Sequence, residues 1–197
     1  KTFTTFSNSQ NPSGRKTTAE IVQVIKGDRF KTEIEKIRAL MQQRNYEEAD
    51  ALTAQLKGFT PSGVFTASRS EEYLQDYSQL ICLEYDGLTQ EDLESTYEQV
   101  VATPYTYMAF VNPQGNGLEV FVQVDSTKEN HAMALQQVAS HYEVVAGKKC
   151  KNTGEDLTCF CPVSYDPDAY LHEQASVFHV TLPEKRSLDI EKPEDGT

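Results

Sequence analysis

Glu84 and Asp86 are the side chains in this sequence best placed to do chemistry. They lie in Ile81-Cys82-Leu83-Glu84-Tyr85-Asp86-Gly87-Leu88, where an apolar run leads in and a glycine ends it. Side chains alternate faces along a strand, so the two carboxylates share one face while Leu83 and Tyr85 take the other. Two acids side by side are poorly suited to burial, because they repel and each loses its hydration. A divalent cation relieves both problems, and Mg²⁺ is held by one or two carboxylates together with phosphate oxygens. The plain alternative is a pair of acids facing water at a strand end.

Two later segments supply further candidates. Ser164-Tyr165-Asp166-Pro167-Asp168 follows an apolar run, and the proline biases Asp166 toward an extended backbone that projects its carboxylate outward. An Asx-Pro turn that merely closes the strand is the alternative. Between Asn112 and Glu119, Gly115 and Gly117 flank Asn116. Exposed N–H groups in such a loop suit a phosphate, although Asn-Gly is also a common hairpin turn. The loop joins two strands rather than opening a helix, which excludes a dinucleotide-binding fingerprint.

The elements that must position these groups follow from periodicity. Thr2 to Phe6 alternates as a strand, and a Ser/Asn/Pro/Gly stretch after it reads as a loop. Helices are predicted from Thr17 or Thr18 to Gly27, from about Arg29 to Gln43 and from about Tyr46 to Leu56, giving a helical front over 17–58. Strands are predicted at Val64 to Ser68, Gln79 to Tyr85, Tyr105 to Val111, Leu118 to Val124 and Cys159 to Ser164. Helices fall between them from Thr89 and from Lys128 to about Val145. Residues 79–166 therefore read β-α-β-β-α-β, the split βαβ order. The expected fold class is α+β, with a ferredoxin- or RRM-like core and an N-terminal helical extension in one domain over 1–183. Residues 184–197 read as a polar tail or linker.

Composition narrows the function classes. The chain has 197 residues and a net charge of −12, which opposes tight nonspecific binding to nucleic acid through phosphates. Its longest basic cluster, Lys148-Lys149-Cys150-Lys151, is short and reads as a solvated loop. No apolar run approaches a membrane span. Cys82, Cys150, Cys159 and Cys161 form no CxxC pair, so zinc is not expected, and free thiols in a reducing cytoplasm are favoured over disulfides. His131 and His141 read as surface residues of one helix.

The ordered set of an acidic pair, a glycine-rich hairpin and a late Asp resembles the primase–polymerase superfamily of archaeal and eukaryotic type. More narrowly, the chain resembles the VirE N-terminal domain family. The stretches that carry this are Thr60-Pro61-Ser62-Gly63-Val64-Phe65 with Arg69, Leu80 to Leu88, Pro104 to Val124, and Cys159 to Tyr170 with Ala175. The resemblance implies that Glu84, Asp86 and Asp166 are catalytic metal-binding acids holding Mg²⁺ or Mn²⁺. It implies that Gly115, Asn116 and Gly117 touch a nucleoside triphosphate, that DNA is a partner, and that a helicase- or primase-like region follows in the natural protein. The departures are Glu84 in place of Asp, a second motif without its Ser and His, Glu119 nearby, and Leu157-Thr158 where a basic residue is common. Each removes positive charge or a phosphate donor. The expectation is thus a primase-like N-terminal domain of a mobile-element or DNA-replication-associated protein, non-catalytic or degenerate. Active nucleotidyl transfer is the alternative. An RRM-like nucleic-acid-binding module is a further one, with Tyr105, Tyr107, Phe110 and Phe121 as stacking candidates.

Overall fold

The computed structural model describes residues 1–151 and 155–182. The strand β1 (Thr2–Phe6) pairs with β2 (Pro12–Thr17), so the polar segment read as a loop is largely an edge strand. Its side chains are mostly exposed and it is held by backbone pairing, which leaves no apolar pattern to read. Three helices follow: α1 (Thr18–Lys26), α2 (Lys31–Gln42) and α3 (Tyr46–Thr53). Thr17 and Glu20 form a reciprocal capping box at the start of α1. Ile34, Ile37 and Leu40 of α2 pack with Ala49 and Leu56 in a small core of their own.

Short strands β3 (Gly58–Phe59), β4 (Gly63–Phe65) and β5 (Leu74–Tyr77) lead into β6 (Leu80–Tyr85). Then come α4 (Gln90–Val101), the hairpin of β7 (Thr106–Val111) and β8 (Leu118–Gln123), and α5 (His131–Ala146). Last are β9 (Cys161–Pro162) and β10 (Tyr170–Leu171). The fold class is mixed α and β, with antiparallel sheets. One sheet has the order β10-β7-β8-β6, a second β2-β1-β3-β9, and a third pairs β4 with β5.

The principal sheet is covered on both faces. Ile81, Leu83 and Tyr85 of β6 and Val120 and Val122 of β8 pack against Leu93 and Val100 of α4 and Leu135, Val138 and Tyr142 of α5. On the other face, Leu80, Cys82, Phe110 and Phe121 pack against Ile21 and Ile25 of α1, with Phe3, Phe59 and Cys161 from the second sheet. Phe121 stacks on Phe59 at 6.0 Å and on Phe110 at 5.8 Å between ring centroids. Each such ring stabilises the layer by about 1.5–3 kcal/mol through burial alone.

The largest departure from the expected topology is the last strand. Within the predicted 79–166 core, the segment Cys159 to Ser164 was expected to complete the sheet that contains β6. Instead Cys161 pairs with Phe59 and Pro162 with Gly58, in the second sheet. Among the described residues, the other edge of β6 carries a single bridge, Glu84 to Lys151. The fourth strand of the principal sheet is β10, on the outer edge of β7. A proline at position 162 removes a backbone donor, which suits the outer strand of a small sheet better than a long ladder. His131 is also not a surface residue: it is buried and its Nδ1 lies 2.8 Å from the Tyr77 hydroxyl. The predicted tail at 184–197 lies outside the described residues.

Gly58 marks where β9 meets β3. A Cβ there would stand 2.3 Å from the Cys161 carbonyl oxygen and 2.4 Å from the Phe160 ring. Gly58→Ala is expected to lower the unfolding free energy by about 1–3 kcal/mol, the usual cost of overpacking. Urea denaturation measures it, and an unchanged midpoint would contradict the observed β3–β9 pairing.

Candidate functional site

Residue by residue, the end of the principal sheet places the candidate acids in three different environments. Glu84 lies opposite Glu119 of β8 one pair before the β6 ladder ends, on the face that Leu80 and Cys82 turn to the second sheet. Asp86 lies just past the strand end. Lys151 reaches both: its ammonium is 3.6 Å from Glu84 Oε1 and also pairs with Asp86 Oδ2. The Lys151 backbone N–H donates to the Glu84 carbonyl at 2.8 Å. Asp86 Oδ1 accepts from the Gly87 N–H at 2.8 Å. The basic cluster read as a solvated loop thus supplies the cation that pairs with both acids and offsets one of their two charges.

Glu119 is the most perturbed of the acids. It is 7% exposed, and burial, followed by the nearby Glu84 charge, raises its pKa to about 8. At neutral pH its carboxyl group therefore retains its proton. The Cys82 thiol donates to Glu119 Oε2 at 3.4 Å. The hydrogen bond with Cys161, then burial, hold the Cys82 thiol well above its ordinary value. Burial does the same to Cys161, to about 12, and to Cys159. All four cysteines are free. Thiols held in the protonated form are poor nucleophiles and poor metal ligands, so this group reads as packing rather than as a reactive centre.

Asp166 stands apart. It is 6% exposed. Its Oδ2 accepts from the Val111 N–H at 2.9 Å and its Oδ1 from the Asp168 N–H at 2.9 Å. It thus sits at the edge of β7 that faces away from β8. Strands lie about 4.8 Å apart, so β6 and β7, on either side of β8, are separated by about 10 Å. The structure brings Glu84, Asp86 and Glu119 together and leaves Asp166 across the sheet. Among the described residues, no three His, Cys, Asp or Glu side chains are grouped to hold a metal ion. The donor set does not fit a shared Mg²⁺ or Mn²⁺ centre: Asp166 is taken up by backbone donors and the acidic pair by Lys151.

The hairpin is also committed. Asn112 Oδ1 accepts from the Gly115 N–H at 2.9 Å and from the Asn116 N–H at 3.2 Å. The Asn116 carbonyl accepts from the Leu88 N–H at 2.8 Å. Gly115 has φ +77°, and a Cβ there would stand 3.0 Å from the Arg38 side chain; one at Gly117 would stand 2.1 Å from the Tyr85 carbonyl oxygen. Both glycines therefore have packing roles, and the N–H groups of Gly115 and Asn116 point at Asn112 rather than at open space.

Arg38, which sequence reasoning missed, organises this end of the molecule. Its Nη2 donates to the Tyr165 carbonyl at 2.9 Å and the Asn112 carbonyl at 3.2 Å. Asp166 lies close enough to oppose the downward shift that burial imposes on it. One side chain of α2 thus ties the hairpin to the loop after β9. The only sequence signal was a charge set between the apolar positions Ile37 and Leu40. Three of the four aromatic candidates for base stacking are core residues, Tyr107, Phe110 and Phe121 being each at most 3% exposed, and Tyr105 is half-buried against the α4–α5 core.

Glu119 makes stability depend on pH in a defined direction. Its folded pKa lies above that of an unfolded glutamate, so the folded state binds the extra proton. The stability that Glu119 contributes is then fully present below about pH 4.3, the unfolded value, and is lost as pH rises toward 8. The slope this one group contributes is at most about 1.4 kcal/mol per pH unit. Glu119→Gln, which cannot ionise, is expected to flatten the fall between pH 5 and pH 8 in urea unfolding curves. A variant with the same slope as the wild type would show that Glu119 is not the group responsible.

None of the curated proteins and none of the solved structures compared with the chain matches it. The family model described as BT4734-like, N-terminal domain matches residues 51–171, a span from α3 through β10 that contains Glu84, Asp86, Glu119, Lys151 and Asp166. The matched span covers more than half of the chain, which therefore belongs to the BT4734-like N-terminal domain family.

Proposed function

We propose that this chain is a binding or assembly module built on a primase–polymerase-like scaffold and does not transfer nucleotides. One observation carries the reading. Lys151 pairs with both Glu84 and Asp86 at one edge of the sheet and offsets one of their two charges, while both oxygens of Asp166 accept backbone N–H bonds beyond the other. In-line phosphoryl transfer by two metals needs carboxylates that converge on ions about 4 Å apart.

The scaffold half of the proposal is supported by connectivity. The order β6-α4-β7-β8-α5, with β8 between β6 and β7 and both helices on one face, is that of a ferredoxin- or RRM-like core. A place at the front of a mobile-element or DNA-replication protein rests on the resemblance to the VirE N-terminal family. DNA is a proposed partner on that same ground, and a nucleoside triphosphate belongs to the catalytic alternative. The face that an RRM would offer to bases is covered here by α1 and the second sheet, which favours assembly over base stacking.

Calorimetric titration with Mn²⁺, with and without ATP, tests the non-catalytic reading. Wild type and a Glu84→Ala, Asp86→Ala double variant are expected to give indistinguishable heats. A saturable Mn²⁺ heat that the double variant loses would overturn it.

A further inference from the structure

Away from the acidic strand end, a cavity of about 350 Å³ opens between the second sheet and the front helices. That volume falls within the ~300–1,000 Å³ typical of small-molecule sites. Its walls come from β1, β2, α1, the turn before α2, and the Lys57–Phe59 segment. The lining is chemically one-sided. It contains Lys16, Arg29 and Lys57 and no carboxylate. In a chain of net charge −12, basic side chains have many acids to pair with, yet among the described residues these three enter no ion pair. Glu20, whose charge reaches Lys16, is held by the Thr17 cap.

The rest of the lining adds two features. The Ser13 and Thr5 hydroxyls lie 3.3 Å apart at one wall and can turn toward an oxyanion. Phe6, Phe30 and Ile21 supply an apolar floor. The Arg29 guanidinium carbon sits 5.4 Å from the centre of the Phe30 ring, which steadies its face and leaves its edge donors free. A second cavity of about 320 Å³ shares Phe30 and Lys57 as walls and continues toward Ile37, Leu52 and Leu56. Three cations thus gather in the first cavity, while the second sets the apolar wall of Ile37, Leu52 and Leu56 beside one opposite-charge couple, Glu33 and Lys36.

We propose that this cleft binds a small phosphomonoester with an apolar or aromatic body. The phosphate is held by Lys16, Arg29 and Lys57, and the body lies along Phe30 toward the second cavity. Three unpaired cations suit a group of charge about −1.5 to −2 at neutral pH better than a singly charged carboxylate. Arg29 can meet it through two parallel N–H bonds. Nothing in this site depends on the acidic strand end, so it stands or falls separately from the non-catalytic reading.

Isothermal titration calorimetry of the whole chain with phenyl phosphate as the probe tests the site, beside inorganic phosphate, benzoate and benzyl alcohol. The expected result is saturable binding of phenyl phosphate, tighter than any of the other three. The combined Lys16→Gln, Arg29→Gln, Lys57→Gln variant is expected to weaken it by about tenfold or more, the scale of hydrogen bonds to a charged group. Lys57→Gln alone weakens it by less, and Lys26→Gln, outside the cavity, leaves it unchanged. Absence of saturable heat, equal affinity in the triple variant, or equal affinity for benzyl alcohol, benzoate or inorganic phosphate would each overturn the proposal.

Discussion

Burial of the principal sheet on both faces is the constraint from which the rest of the molecule follows. Antiparallel sheets often leave one face wet, but here α4 and α5 cover one face while α1 and the second sheet cover the other. Any polar side chain on either face must then find a partner or give up its charge. Glu119 gives up its charge. Glu84, one strand further out and partly exposed, keeps company with Lys151. Asp166 satisfies both oxygens with backbone N–H groups. Glu119 and Asp166 are almost equally buried and differ in the donors within reach, whereas Glu84 is partly exposed, although the sequence shows the same functional group at each.

The same constraint explains the role of the hairpin. A tight turn at the end of a doubly covered sheet leaves its amides little solvent, and Asn112 takes two of them. Arg38 then fastens the turn to the loop that carries Asp166. Features that resemble a phosphate-binding hairpin and a late metal-binding Asp are joined through one arginine into a structural clamp. A group of three cations that enter no ion pair among the described residues lies instead at the junction of the second sheet with the front helices.

Much of the secondary structure could be read from the sequence, because it rests on local rules. Of the two threonines that could start α1, Thr17 caps it, and Thr89 caps α4. The apolar alternation of β6, β7 and β8 locates those strands to within a residue or two. What local rules could not supply was partnership. Cys159 to Ser164 carries strand chemistry, but nothing in its residues says which sheet receives it. Pro12–Thr17 is a strand only because β1 offers it an edge. At the site, the neighbouring acids Glu84 and Asp86 were legible. Lys151 was visible only as part of a basic cluster, and its pairing across 65 residues was not. Lys16, Arg29 and Lys57 are far apart in sequence and meet only through the packing of helices on a sheet.

We propose that this acidic strand end is a structural element partly compensated by Lys151 rather than a metal centre. Carbon-13 NMR titration of the Glu119 side-chain carboxyl, with and without saturating Mg²⁺, tests it most directly. The account predicts a titration near pH 8 that Mg²⁺ does not move. A carboxyl that titrates near the ordinary glutamate value of about 4.3, or one whose resonance shifts on Mg²⁺ addition with saturation, would contradict it.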